Sequence, residues 1–235
     1  MKRKLINVIL ILATSVILNR LVAPAPKQQV IVKPEVDIGK EIAPHVVPWI
    51  SDNEQERSAT GFYINYYGKY RILTNRHVCD AQINRNKSHF IQFGDYVGRI
   101  LYIDKHHDLC LVSSNRKSGL KLADYQAMPL EKVVLVGYPR GIGKVIREGR
   151  IIEQELLIAP WLLPHALRVY TYRVSTPAYP GNSGSPVVNT KGKVTGVLFA
   201  GSPIYPLEPF IVPLRYVRAF LNEAIFKIKR EEFEK

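Results

Sequence analysis

Short runs of Val, Ile, Tyr and Phe, broken at intervals by Gly and Pro, predict an all-β chain of the sandwich or barrel type. Two further observations support that class. Hydrophobic residues make up 46% of the 235, with 13 Tyr and 8 Phe, enough for a real core and incompatible with a disordered chain. Helical apolar spacing is confined to one stretch, Leu214 to Phe233, where Leu214, Val217, Leu221, Ile225 and Ile228 fall on one face behind Pro213.

Taken in order, the chain opens with Met1-Lys2-Arg3-Lys4 and an almost unbroken apolar run from Leu5 to Leu18. Basic residues ahead of such a run mark residues 1–23 as a signal peptide or membrane anchor, with the positive end on the cytoplasmic side. The run is shorter than the roughly 20 residues that cross a bilayer comfortably, which favours cleavage. Cutting in Ala23-Pro24-Ala25-Pro26 would leave Pro at the first mature position, which favours an uncleaved anchor; a core helix is the third reading. Both export readings place the rest of the chain outside the cytoplasm. Pro, Lys and Gln from Ala23 to about Pro34 suggest an extended tether, and residues 24–44 are assigned as a linker. Residues 35–50 have room for a first strand.

From Thr60 the pattern becomes regular. Gly61 to Ile64 and Tyr70 to Thr74 read as paired strands around a Gly-containing turn. Ile100 to Ile103, Asp108 to Val112, Val133 to Gly137, a strand beginning near Glu148, Tyr170 to Val174, Val187 to Asn189 and Val194 to Phe199 follow, each bounded by turn residues.

Three polar residues stand out against this frame. Ser183 lies in Gly181-Asn182-Ser183-Gly184-Ser185-Pro186, where small neighbours leave a nucleophile open and glycines can aim consecutive N–H groups at one point. As a bare hexapeptide this is equally a surface turn. His77 follows the strand ending at Thr74, at the start of a short helical turn. Asp108 heads an apolar strand, where a buried carboxylate needs a donor such as an imidazole N–H. His106 and His107 compete for the role of base, but they adjoin Asp108 too closely in sequence to bridge it to a distant serine.

In the order His77, Asp108, Ser183, the segments TNRHV, HDLCLV and PGNSGSPV resemble those of the chymotrypsin-fold serine peptidases over roughly residues 45–220. GYPRG followed by EGRII is similar to the connecting strands of the HtrA-like and glutamyl-endopeptidase branches. The resemblance implies two six-stranded antiparallel β-barrels followed by the C-terminal helix of residues 214–235. It implies a serine endopeptidase with Ser183 as nucleophile, His77 as base and Asp108 as its orienting acid, and with the N–H groups of Gly181 and Ser183 as oxyanion hole. The substrate pocket is expected to take its floor from Pro177 to Tyr179 and its wall from Phe199 to Ser202, with Pro177, Tyr179, Phe199 and Gly201 as contacts. Neither segment holds an acid, so the expected pocket is apolar. Ser185 stands where the family more often has a second Gly. The disulfide that brackets the histidine loop in animal enzymes has no counterpart pair here, and with only a helix expected after the last strand, no PDZ domain is expected.

The net charge of +13 is spread as +5, +6 and +2 over residues 1–40, 41–213 and 214–235, so no basic stripe tracks phosphates and nucleic acid is not an expected partner. The expected partners are a protein or peptide substrate and, through the N-terminal segment, a membrane. Cys79 and Cys110 are too few for a disulfide framework; buried thiols are the expectation, with a single disulfide as the alternative. No cofactor or metal is expected. A catalytically silent trypsin-fold protein that binds peptides, or a membrane-tethered interaction module, is the alternative function.

Overall fold

Twelve strands close into two six-stranded antiparallel barrels in the computed structural model, which describes residues 37–50, 58–104, 106–159, 167–201 and 207–234, with backbone alone at 157–159 and 167–169. The first barrel contains β1 (Val46–Trp49), β2 (Ala59–Tyr66), β3 (Lys69–Thr74), β4 (Phe90–Phe93), β5 (Tyr96–Ile103) and β6 (Cys110–Val112) in the order β1-β2-β3-β6-β5-β4. The second contains β7 (Lys132–Gly137), β8 (Val145–Ala159), β9 (Leu167–Val174), β10 (Pro186–Asn189), β11 (Val194–Ala200) and β12 (Phe210–Pro213) in the order β10-β11-β12-β9-β8-β7. Closure leaves neither sheet with a free edge.

Local chemistry explains the turns. Tyr67 and Gly68 both have positive φ, 48° and 72°, between β2 and β3, the geometry that matches the twist of a two-residue hairpin. The Asn65 side chain accepts from Gly68 N–H there at 3.1 Å. β4 and β12 are strands the sequence pattern did not single out.

Strand alternation divides the apolar residues among three cores. Trp49, Tyr63, Ile72, Ile91, Phe93 and Val112 fill the first barrel, and Leu135, Ile151, Tyr172, Val187, Leu198 and Ile211 fill the second. A third cluster lies between the barrels and joins Phe62, Leu73 and Leu111 to Val136, Val197 and Phe210. The C-terminal helix, α3 (Leu214–Phe233), lays Leu214, Val217, Phe220, Leu221 and Ala224 into that same cluster. This i, i+3, i+4 spacing is the face read from the sequence.

Two expectations change. The expected linker of residues 24–44 is not extended at its described end: Ile38–Ile42 form a short helix, α1, capped by the Asp37 carboxylate, followed by a 3-10 turn at Ala43–His45. Ile42 is buried in the inter-barrel cluster, which stabilises a helix too short to persist alone. Cys79 and Cys110 are not free thiols but form a disulfide, with their Cα atoms 6.6 Å apart. The apolar N-terminal segment and the linker up to residue 36 lie outside the described residues. Among the described residues, no helix is long and apolar enough to cross a membrane.

Candidate active site

The site forms where the two barrels meet, and each of its side chains is placed by a hydrogen-bonded chain segment. His77 is the second residue of α2 (Arg76–Asn86), the helix that leaves the end of β3. One Asp108 carboxylate oxygen accepts the His77 backbone N–H at 2.9 Å, and the other lies 2.8 Å from His77 Nδ1. A single carboxylate thus fixes both where the helix starts and how the ring is turned. Its side chain is 1% exposed and that of His77 34%. An ionised carboxylate can only accept, so a neutral His77 beside it would carry its proton on Nδ1 and keep the Nε2 lone pair.

Asp108 has φ 56°, a left-handed conformation rare for residues with a side chain but tolerated by Asp. Its surroundings hold it there. Asn75, buried and directly ahead of α2, donates from Nδ2 to the Asp108 carbonyl at 3.0 Å. The turn before it closes through Asp104, whose carboxylate lies 2.8 Å from His107 Nδ1 and accepts His106 N–H at 2.6 Å. Burial raises the Asp104 carboxyl, but the hydrogen bonds from His107 and His106 outweigh it and hold its pKa below the usual value. The His107 ring stacks on Tyr216 of α3, centroids 4.2 Å apart. His107 is therefore engaged by Asp104, and the imidazole that meets Asp108 is that of His77.

Ser183 sits on the turn between β9 and β10, which is docked onto the first barrel largely through Thr60. Thr60 N–H donates to the Ser183 carbonyl at 2.8 Å, and Thr60 Oγ1 donates to the Gly181 carbonyl at 2.7 Å. Thr60 Oγ1 in turn accepts Tyr138 N–H at 3.0 Å, and the Thr60 carbonyl accepts Thr74 Oγ1 at 2.8 Å. Gly184, at φ 84°, lies so close to the Thr60 carbonyl and Thr74 Oγ1 that any Cβ would collide with both. Thr74 is three residues before His77, so this contact brings the serine turn against the chain that carries the imidazole.

Gly181 has φ 100°, and the carbonyl of the Pro180–Gly181 peptide accepts the Arg140 N–H at 2.6 Å. In a trans peptide the N–H points opposite to the carbonyl, so this hydrogen bond turns Gly181 N–H away from Arg140. Ser185 is fully buried with its Oγ against Gly137, where a Cβ would collide with it. A serine fits at 185 because residue 137, across the sheet, has no side chain.

The four expected pocket residues do not share one fate. Pro177 is half-buried, Tyr179 is 38% exposed, and Gly201 is exposed. Ala178, between Pro177 and Tyr179, packs on the second-barrel core. Phe199 is a correction: its side chain is 2% exposed and belongs to the inter-barrel cluster, so only its backbone can face a cleft. A register shift between Leu198 and Ala200 turns the strand there. Thr60, Thr74, Asn75 and Arg140 are parts of the site that the sequence did not announce; Thr and Asn beside a strand end are too common to carry a signal. Among the described residues, no group of three or more His, Cys, Asp or Glu comes together as a metal site.

Comparison with known proteins agrees with this fold. Rv3671c protease of M. tuberculosis in its active form superposes with a TM-score of 0.66 at 23% identity, over 79% of this chain and 83% of that one. The HtrA-type protease AlgW, solved with a tripeptide, gives 0.65 at 17% identity over 80% of this chain and 62% of that one. Among curated relatives, a mitochondrial protease Do-like 12 of Arabidopsis thaliana is 28% identical over 187 residues, 76% of this chain. A serine protease HtrA-like of Staphylococcus aureus is 27% identical over 164 residues, 65% of this chain. The chain spans only 36% and 21% of the lengths of these two relatives. A model of the trypsin-like peptidase domain matches residues 59–197, more than half of the sequence, and the chain belongs to that family.

Proposed function

We propose that the chain is a serine endopeptidase that cleaves peptide bonds through an acyl-enzyme. The observation that carries this reading is the buried Asp108 carboxylate, which grips both the backbone and the Nδ1 of a half-exposed His77 beside the docked Ser183 turn. In this scheme Ser183 Oγ attacks the scissile carbonyl carbon while its proton passes to His77 Nε2. Asp108 stabilises the imidazolium that results. The oxyanion is met by the N–H groups of Gly181 and Ser183, each of which typically contributes ~3–4 kcal/mol to the transition state. Collapse breaks the C–N bond as His77 protonates the leaving amine. Water then attacks the acyl-enzyme, His77 takes its proton, and the acid leaves as that proton returns to Ser183 Oγ.

The apolar surroundings of Ala178 and Leu198 favour a substrate pocket for a small or medium apolar side chain. Lys2, Arg3 and Lys4 ahead of the apolar run support an exported domain held at a membrane or released by cleavage.

A fluorophosphonate probe tests the chemistry directly. Wild type is expected to be labelled and to hydrolyse peptides, and Ser183→Ala to lose both, on the scale of ~10⁶-fold for a triad serine. Equal labelling of the two proteins would sink the proposal. For the export reading, N-terminal sequencing of the protein from its native membrane or medium decides: a mature terminus at residue 24 or beyond excludes the uncleaved anchor.

A further inference from the structure

Two arginines beside the nucleophile turn have no role in the scheme above. Arg140 lies in the short 3-10 turn Pro139–Gly141 that follows β7, and Arg147 lies on β8. Both guanidinium carbons sit over the ring of Tyr179, at 5.1 and 5.7 Å from its centroid. The two cations are therefore at most about 11 Å apart, roughly one screening length at moderate salt.

Tyr179 places this cluster at the reaction centre. It precedes Ser183 by four residues, a stretch that spans no more than ~14 Å even when extended. Here the stretch is folded back, because Asn182 N–H donates to the Tyr179 carbonyl at 3.0 Å. Arg140 is tied to the same place by its N–H on the Pro180 carbonyl.

The cluster also lacks an anionic partner among the described residues. Among the described residues neither Arg140 nor Arg147 has a carboxylate within ion-pair distance. Arg147 Nε is buried without a hydrogen-bond partner among those residues. Elsewhere the same chain surrounds Arg173 with Glu153, Glu155 and Glu208. Two guanidiniums over one ring, without a carboxylate partner among the described residues, repel each other, and an unpaired buried donor costs stability. An anion between them relieves both, and a guanidinium fork matches a carboxylate better than any other common group.

We propose that Arg140, Arg147 and Tyr179 form a subsite that takes the carboxylate side chain of an Asp or Glu in the substrate, close to the scissile bond. The arginines bind the carboxylate and the Tyr179 ring packs on the methylene groups. The apolar pocket proposed above is a separate feature, so the favoured substrate would carry an apolar residue and an acidic one near the cleaved bond. This inference rests on the peptidase reading for its location.

The test uses fluorogenic peptides in matched pairs, Glu against Gln at each position around the cleaved bond, with wild type, Arg147→Gln, Arg140→Gln and the double variant. At one position wild type is expected to favour Glu over Gln by about tenfold in kcat/KM, the scale of one charge-assisted hydrogen bond. The double variant should bring that ratio to near one, and added salt should lower it in wild type only. The ratio is the readout, because Arg140 also orients the Pro180–Gly181 peptide. A wild-type ratio near one at every position, or a ratio that survives in the double variant, overturns the proposal. Fluorescence anisotropy of the same peptides on Ser183→Ala and on Ser183→Ala with Arg147→Gln reads the subsite without catalysis. If wild type neither labels nor cleaves, the peptidase reading fails, and the anisotropy arm still decides: weaker Glu-peptide binding in the Arg147 variant supports the subsite. Equal binding of Glu and Gln peptides to Ser183→Ala overturns it.

Discussion

Replacing both Cys79 and Cys110 by alanine removes the covalent link between α2, which carries His77, and β6, which begins two residues after Asp108. Each cysteine follows its partner in the dyad by two residues, and both are fully buried in the first barrel. The cross-linked residues are 31 apart in sequence. For a loop of that length the chain-entropy relation gives about 3.7 kcal/mol at 25 °C. Chains of this size lose ~2–4 °C of Tm per kcal/mol, so the double variant should melt roughly 7–15 °C below the oxidised protein. Thermal and urea unfolding, with and without dithiothreitol, measure it. Reductant should move wild type towards the variant once transient opening admits it, and should leave the variant unchanged. A double variant that melts within about 2 °C of oxidised wild type would refute the assignment of that stability to the cross-link.

Other substitutions probe the packing and charges around the site. Gly137→Ala should destabilise by ~1–3 kcal/mol, because the new methyl meets Ser185 Oγ, and adding Ser185→Gly should recover part of the loss. Urea denaturation of the four proteins gives the coupling, and simple additivity would show that the two residues do not compete for the same space. Asp104 should contribute to acid stability. Its folded pKa lies below the unfolded value of 3.8, so its stabilisation is present above that pH and is lost as pH falls through the lower, folded value. The stability difference between wild type and Asp104→Asn should accordingly narrow below about pH 3.8, measured as urea midpoints across pH, and a difference constant into that range would contradict the linkage.

How much of this was legible depended on whether local pattern or distant partners decided each feature. The dyad and the serine turn were readable because each sits at a strand end within a distinctive run of residues. The C-terminal helix was readable from its five apolar positions alone. The disulfide was not, since pairing depends on the Cα separation of two residues brought together by the barrel. The side chain of Phe199 was misplaced for a related reason: simple alternation fails where β11 shifts register between Leu198 and Ala200. β4 was missed because its four residues are too short a run for periodicity to show, and β12 because Pro213 reads as the start of the helix. The part played by Thr60 left no mark at all, because its partners Gly181 and Ser183 lie more than a hundred residues away.

That last separation has a consequence for the life of the chain during its synthesis. The histidine and aspartate are made early, but the turn bearing the serine is joined to the first barrel by hydrogen bonds to Thr60, 121 residues before Gly181. Contacts of such long range form late in folding. A ribosome-bound or truncated chain that has completed only the first barrel holds a dyad with nothing to activate. On the proposed peptidase reading, Ser183 meets His77 only once both halves are folded and docked, so hydrolytic competence and completion of the fold would arrive together.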